Sequence, residues 1–380
     1  MQPVSRTALV LTVAACGLAF TPRSHAETVA FTQSSQGFPA NSSDEINVGK
    51  QGSFTSLPLP SGLEFPWDID YNAATDRFFV IGAGSDDGTD PPTREFNTDN
   101  RGTIWSFKRD GSEPIQHASG LDRPLHLDVS SNGQTVFFAE QGEGRASTFK
   151  NDGRIGRLDV ATNNIETVVT APVAAGPTGV HLDEANNTLY YQVNQRGDTP
   201  SFEPQQIRRV NDATATNLAA GSDDLFLANQ PADGVLDDGL EADVVSAGRN
   251  VQVVGDFLYW TFRNGTIGSE NDVPAGEIRR IPLDFDLDTE DAATSFETIV
   301  TSGRIIDFEI VGDEIYWTNF EVLSPELFKA NLDGTGQTLL AEGDLFNSLP
   351  VGVAVVPEPT SLALLGLGGI VILGRRRRRA

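Results

Sequence analysis

Two histidines occupy the same position in consecutive copies of a short apolar alternation. His126 is the histidine of the segment LHLD, and His181 is that of VHLD. In the related segments we place Asp68, Gln252 and Glu309 at this position. Imidazole nitrogens and carboxylate oxygens ligate divalent metals and act as general acids and bases. If the segments converge, these five side chains form a ring that holds a metal or a substrate. The alternative is that they pair with one another or with water.

Acidic segments offer oxygen ligands of the kind that Ca²⁺ prefers. The candidate ligands are Asp86, Asp87, Asp90, Asp233, Asp237, Asp238 and Glu241. A third acidic segment begins like an EF-hand loop at Asp284, but Thr289 and Ser295 stand where that loop needs glycine and glutamate. Calcium is therefore the candidate cofactor, and a solvated acidic surface is the alternative.

Composition excludes several function classes. The formal net charge of −26 leaves no basic face for nucleic acid. The single cysteine, Cys16, lies near the amino terminus, which leaves the main domain without a disulfide or a thiol nucleophile. The sequence contains no P-loop, nucleophile elbow, HExxH or dinucleotide-binding fingerprint.

An aromatic pair recurs along the middle of the chain and marks an internal repeat. The pairs are Phe78-Phe79, Phe137-Phe138, Tyr190-Tyr191, Tyr259-Trp260 and Tyr316-Trp317. Each pair follows an apolar alternation and precedes a third strand-like segment and a fourth apolar run. Four short strands in each repeated unit predict the blades of an all-β protein, a β-propeller.

Two of the units follow a known pattern. One reads Tyr316-Trp317-Thr318-Asn319 and continues through a strand-like segment to Asp333-Gly334. The other contains Tyr259-Trp260-Thr261. These residues resemble the YWTD repeat of the low-density-lipoprotein-receptor class B type, and the resemblance implies a propeller over about residues 60–355. Asn319 and Phe262 replace the aspartate of the motif.

Closure of the ring requires strands from both chain ends. Five units are complete, and residues 350–355 read as the inner strand of a sixth. Its outer strands are predicted at Thr28–Thr32, Glu45–Val48 and Phe54–Leu59, which would remove exposed sheet edges. We therefore predict six blades closed by one carboxy-terminal and three amino-terminal strands. A seven-bladed ring and an open array are the alternatives.

The amino terminus has the features of a secretory signal peptide, expected to be helical. Arg6 precedes an apolar run over residues 7–20, and small residues before Glu27 predict cleavage between Ala26 and Glu27. The alternative is a lipobox that ends at Cys16 and would place a lipid there. We expect a leader at 1–26, a propeller at 27–356 and a sorting segment at 357–380.

The carboxyl terminus carries a motif, a short apolar segment and a basic cluster. The motif and cluster residues are Val356, Pro357, Glu358, Pro359, Arg375, Arg376, Arg377, Arg378 and Arg379. The apolar segment, Leu362–Gly374, is shorter than the ~20 residues of a stable helical span. These residues resemble the PEP-CTERM sorting signal. The resemblance implies an exosortase-type processing enzyme, export machinery, transient membrane anchoring by a short hydrophobic helix, and a bacterium that makes exopolysaccharide. An ordinary carboxy-terminal anchor is the alternative.

Three functions remain open from the sequence. The first is an envelope or matrix module that binds a protein or glycan, with a link to exopolysaccharide or biofilm. The second is a lactonase- or hydrolase-type enzyme with a divalent metal at the channel mouth, formed by His126, His181 and Glu309. The third is a purely structural surface protein. A propeller fold hosts binding and catalysis alike and does not choose among them.

Overall fold

The computed structural model confirms the predicted all-β fold and its six blades. Six four-stranded antiparallel sheets lie within the residues that the structure describes. These residues are 27–34, 44–84, 101–142, 153–170, 175–195, 206–219, 223–228, 249–263, 276–286, 289, 292–319, 326–342 and 349–357. The expected signal helix and the carboxy-terminal helix lie outside them. No helix in these ranges is long and apolar enough to cross a bilayer.

The strands follow the chain in order, four to a blade. Blades 1 to 3 contain β4 (Pro66–Asn72), β5 (Arg77–Gly82), β6 (Gly102–Lys108), β7 (Ile115–Leu121); β8 (Pro124–Val129), β9 (Thr135–Glu140), β10 (Arg154–Asp159), β11 (Asn164–Thr170); and β12 (Ala175–Asp183), β13 (Thr188–Gln195), β14 (Gln206–Val210), β15 (Asp224–Ala228). Blades 4 and 5 contain β16 (Val251–Val254), β17 (Phe257–Arg263), β18 (Gly276–Pro282), β19 (Glu297–Ser302); and β20 (Ile305–Val311), β21 (Glu314–Asn319), β22 (Glu326–Asn331), β23 (Thr338–Glu342). A one-turn helix, α1 (Ala292–Ser295), precedes β19.

Blade 6 joins the two ends of the chain. Its inner strand is β24 (Leu349–Val356), and its outer strands are β1 (Thr28–Ser34), β2 (Glu45–Lys50) and β3 (Ser53–Leu57). The predicted one-plus-three closure is therefore confirmed. The inner strands β4, β8, β12, β16, β20 and β24 contact one another in a closed circuit around an axial channel.

The recurring aromatic residues fill the gaps between blades. Tyr259 of β17 packs towards blade 5, whereas its neighbour Trp260 packs towards blade 3. The two side chains diverge because successive residues of a strand point to opposite faces of the sheet. Phe79 occupies the place of Tyr259 in blade 1, and Phe137 occupies it in blade 2. The pair Phe78-Phe79 is thus displaced by one residue from Phe137-Phe138, contrary to our alignment.

A β-bulge near the start of the inner strands re-aims the side chains that follow. In β4 the extra residue is Trp67, since Pro66 pairs with Gly82 and Asp68 pairs with Ile81. Blades 2, 3, 5 and 6 show the same shift in register. Bulges are common beside functional sites, where they change the direction of a side chain.

The threonine at the third position of the aromatic motif supports the start of the inner strand. In blade 4 the Thr261 hydroxyl accepts hydrogen bonds from the backbone N–H groups of Arg249 at 2.7 Å and Asn250 at 3.1 Å. In blade 6 the equivalent residue, Thr32, accepts from Gly352 N–H at 2.8 Å and donates to the Trp67 carbonyl of blade 1 at 3.1 Å. Thr32 therefore links strands from both chain ends to the next blade.

Replacement of Thr32 by valine should destabilise the closure. The variant keeps the shape of the fully buried side chain but leaves Gly352 N–H and the Trp67 carbonyl unpaired. Two lost partners predict a decrease of about 1–3 kcal/mol in the free energy of unfolding. Chemical denaturation of the mature propeller measures it. Thr55→Val, at an exposed position of β3, is the control, and an equal effect of the two substitutions would contradict the closure role.

Candidate metal centre

Polar side chains from the inner strands line the axial channel in two tiers. We call the end where the inner strands begin the upper end and the end where they finish the lower end. The upper tier consists of Asp68, His126, Asn250 and Asp307, and the lower tier consists of Asp70, Asp128, His181, Gln252 and Glu309. Together they enclose a cavity of about 50 Å³, room for an ion and a few waters.

The upper tier has the geometry of a metal site. One potential ligand atom each from Asp68, His126 and Asp307 lies within 4.8 Å of the others, and all three residues are buried. His126 Nδ1 is 3.8 Å from Asp68 Oδ2, and Nε2 is 3.8 Å from Asp307 Oδ1. Asn250 donates to Asp307 Oδ1 at 2.5 Å. Three blades thus deliver two carboxylates and an imidazole to one point.

In blades 3 and 6 the upper-tier position is a glycine, because a side chain there would be too large. A Cβ atom at Gly352 would lie 2.7 Å from the Asp68 Cα atom, and one at Gly179 would lie 2.8 Å from the Arg249 carbonyl oxygen. Both distances are below any ordinary carbon contact, so a side chain here would force the inner strands apart. The glycines allow the ring to close tightly around the other four residues.

The channel side chains also join neighbouring blades. Six of them accept a hydrogen bond from a backbone N–H of the next inner strand, which has no ladder partner on that side. The pairs are Asp68 with Leu127 N (2.7 Å), Asp70 with Val129 N (2.9 Å), His126 Nδ1 with Val180 N (3.4 Å), Asp128 with Leu182 N (2.5 Å), Gln252 with Ile310 N (3.0 Å) and Asp307 with Val353 N (2.8 Å). The same residues that can ligate a metal therefore hold the ring together.

The carboxyl groups crowd one another in a buried space. Burial, together with Asp68, raises the pKa of Asp307 to about 8, and burial with Asp128 raises the pKa of Asp70 to about 7. Burial raises the pKa of Asp68 and of Glu309 well above their ordinary values. No lysine or arginine is among the described residues that line this cavity. The cluster therefore needs protons or a cation to offset its negative charge.

The two histidines differ in their surroundings. Burial lowers the pKa of His126. Burial acts in the same direction on His181, but the Asp128 carboxylate, 3.2 Å from Nδ1, outweighs it and raises the pKa of His181. A neutral imidazole in the upper tier is the form that binds a metal.

The bulge residues close the upper end of the channel. Trp67, Leu125, Ile306 and Val351 are buried and form an apolar layer above Asp68, His126 and Asp307. The Arg249 guanidinium lies 4.8 Å from the centre of the Trp67 ring. Only about 10 Å³ remains between this layer and the upper tier. Because the lower-tier side chains are half-buried, solvent reaches the cavity from the lower end.

The structure brings the five sequence-predicted residues to one channel but not to one ring. Asp68 and His126 lie in the upper tier, whereas His181, Gln252 and Glu309 lie in the lower tier. Our alignment displaced three strands by two residues, which preserves the face but changes the level. Asp70, Asp128, Asn250 and Asp307 were not among the predicted site residues. Their signal was the polar–apolar–polar spacing of DID, HLD, NVQ and DFE.

The other predicted sites lie mostly outside the described residues. This holds for Asp86, Asp87, Asp90, Asp233, Asp237, Asp238 and Glu241, for Ala26, and for the sorting residues from Glu358 onward. Glu27 is described, and its carboxylate accepts a hydrogen bond from the Tyr316 hydroxyl. Val356 ends β24 with no exposed surface, and the exposed Pro357 follows it.

Comparisons with known proteins identify the tail and the fold. The model of the PEP-CTERM protein-sorting motif matches residues 355–379. No curated protein matches the chain. Among solved structures, the chain is similar to one in a nidogen/laminin complex, with a TM-score of 0.55, 11% identity, and coverage of 87% of this chain and 98% of that one.

Two bacterial structures are similar to a comparable extent. TolB from Acinetobacter baumannii gives a TM-score of 0.52 at 10% identity, over 87% of this chain and 67% of that one. The periplasmic gluconolactonase PpgL of Pseudomonas aeruginosa gives 0.51 at 12% identity, over 88% and 99%. Identities this low establish the fold alone.

The motif and the ring of blades define a class of protein. This is an exported six-bladed β-propeller with a PEP-CTERM sorting signal, which implies processing by an exosortase. Its sorting motif begins within the last strand of the closing blade.

Without metal, the propeller should become less stable as pH rises from 6 to 8.5. Asp70 and Asp307 keep their protons in the folded state up to about pH 7 and about pH 8, but the unfolded chain releases them near pH 4. The folded state therefore binds more protons than the unfolded state. As pH rises, the free energy of unfolding decreases by up to about 1.4 kcal/mol per group for each pH unit. The facing groups are Asp68, Asp70, Asp128, Asp307, Glu309, His126 and His181.

Urea denaturation at each pH, in the presence of a chelator, measures this slope. Asp70→Asn removes one titrating carboxyl and keeps an acceptor for Val129 N–H, so it should flatten the profile. Stability that increases between pH 6 and pH 8 in the unmodified chain would contradict the assignment.

Proposed function

We propose that this protein is an envelope binding module whose axial channel holds a divalent cation. The observation that supports a bound cation is that one potential ligand atom each from Asp68, His126 and Asp307 lies within 4.8 Å of the others. The cation compensates the crowded carboxylates and fixes the blades relative to one another. A rigid ring then presents its outer surfaces to a protein or glycan partner, and we link this role to exopolysaccharide or biofilm.

The donor set selects among cations. Calcium takes oxygen ligands, whereas the upper tier contributes an imidazole nitrogen with two carboxylates. Imidazole suits Zn²⁺ and other transition metals, and carboxylates also suit Mn²⁺. We therefore propose Mn²⁺ or Zn²⁺ at the axis in place of the Ca²⁺ expected from the acidic segments. The chain residues Asn250, Leu127 and Val353 orient the carboxylate ligands through hydrogen bonds.

Biogenesis follows from the two chain ends. We propose that residues 1–26 are removed as a leader, that 27–356 form the mature propeller, and that 357–380 anchor the chain until an exosortase processes them. The product is delivered to the cell envelope or the extracellular matrix. Loss of the basic tail would leave the mature product still more acidic.

Hydrolysis of a lactone or ester is the second candidate function. The lower tier favours it, because His181 Nδ1 lies 3.2 Å from Asp128 Oδ2. His181 is half-buried and faces solvent below the upper tier. Such a pair can accept a proton from water. Against it, a cavity of about 50 Å³ does not admit a sugar lactone without rearrangement.

Substitution of Asp68 by asparagine should weaken metal binding without unfolding the ring. Asparagine keeps an oxygen for Leu127 N–H but removes the negative charge. Loss of even an outer-shell partner lowers metal affinity by about 10–100-fold, so the loss of a ligand should lower it at least tenfold. Calorimetry with Mn²⁺, Zn²⁺ and Ca²⁺ on the chelator-treated mature propeller measures the affinities. Asp256→Asn, an exposed carboxylate in a turn, is the control.

If Asp68→Asn binds the cation with the same affinity as the unmodified chain, the upper tier is not the metal site. Tighter binding of Ca²⁺ than of Mn²⁺ and Zn²⁺ would contradict the donor argument.

A turnover assay separates the two candidate functions. We expect the metal-loaded mature propeller to leave aldonolactones and simple esters unchanged beyond the rate of the buffer. A rate that depends on both the metal and His181, shown by its loss in His181→Gln, would favour the enzyme over the binding module.

A further inference from the structure

The two ends of the folded chain leave the propeller at the same end of the channel. Thr28 begins β1 opposite Val356, which ends β24. All inner strands finish at the lower end, so both chain ends emerge there. The Glu27 carboxylate accepts a hydrogen bond from the Tyr316 hydroxyl, whose oxygen also lies 2.8 Å from a carboxylate oxygen of Glu314, the first residue of β21. Glu27, just before β1, is thus fixed to the lower end of blade 5.

The sorting tail begins directly from a buried strand. Val356 is fully buried and pairs with Thr28, and Ala354 and Val356 pack with Ala30 and Ile46 in the core of the closing blade. This strand cannot peel away without opening the ring. The tail therefore starts from a fixed point on the lower rim of blade 6.

The distance from this point to the membrane is short. The apolar segment of the sorting signal begins at Leu362, after residues 357–361. Even a fully extended chain spans no more than about 20 Å from Val356 to Leu362. The blades themselves are about 20–25 Å tall along the strands. The tail is therefore too short for the upper end to turn to the bilayer.

The connections differ between the two ends. At the lower end, tight turns such as residues 73–76, 184–187, 255–256 and 312–313 join inner strands to their neighbours. At the upper end, β5 ends before residues 85–100 and β6 begins after them. In the same way, β15 ends before residues 229–248 and β16 begins after them. Short turns therefore surround the mouth of the channel at the lower end.

We propose that, while the sorting tail is anchored, the propeller rests with its lower face on the membrane. The open mouth of the channel and its lower tier then face the lipid headgroups, and the upper end faces outward. Processing of the tail frees this mouth. The proposal rests on the sorting motif and on the closing blade, and it is independent of metal binding.

Single cysteines report the orientation, because Cys16 is the only cysteine in the chain. In the chain from Glu27 to Ala380, which keeps the sorting tail and contains no cysteine, Ala185→Cys places a label in a lower turn of blade 3, across the ring from blade 6, and Glu342→Cys places one at the upper end of blade 5. Both positions are exposed. The labelled proteins are reconstituted into liposomes that carry a headgroup-attached energy acceptor, without added metal.

We expect quenching of the Ala185→Cys label to be about twofold stronger than that of the Glu342→Cys label, because the labels differ in height by about 20–25 Å. The same variants ended after Pro357 should show no difference, since no tail holds them. Equal quenching of the two labels in the tailed chain, or stronger quenching at the upper end, would overturn the orientation. Neither result depends on the cation, so the failure of one proposal leaves the other standing.

Discussion

The structure depends on one constraint: six inner strands meet at the axis without a hydrogen-bond ladder between them. Each inner strand is paired on one side only, so its other backbone N–H groups need acceptors. Acidic, amide and imidazole side chains of the preceding blade supply them, as Asp68 does for Leu127. This solution links the blades, but it also brings carboxylates from several blades into one narrow channel.

The electrostatic consequence gives the channel its chemistry. Carboxylates that serve as acceptors must point towards the neighbouring strand, and those of Asp68 and Asp307 each lie 3.8 Å from a nitrogen of the His126 ring. Crowding and burial raise the pKa of Asp307 and of Asp70, and a divalent cation offsets the same charge without protons. Stability and the proposed metal binding therefore rest on the same side chains. The glycines of the upper tier allow neighbouring inner strands to approach closely enough for these side chains to meet.

The sequence predicted the ring but not its levels. Aromatic pairs and turn residues predicted the number of blades, because both recur with a local period that the sequence shows directly. The need to cover exposed sheet edges then predicted closure by strands from both chain ends. The tiers depend on a β-bulge, which adds a residue such as Trp67 and cannot be read from alternation. Asp307 was missed, and His181 was placed beside His126 when it lies one level below, because polar residues two positions apart fit the same alternation at either level.

The central claim, a divalent cation bound on the axis, is tested most directly by anomalous diffraction from crystals of the mature propeller grown with Mn²⁺ or Zn²⁺. We expect one strong peak between the blades, about 2.0–2.3 Å from a carboxylate oxygen of Asp68, an imidazole nitrogen of His126 and a carboxylate oxygen of Asp307. An axis without anomalous density, with metal bound only at acidic surface segments, would contradict it.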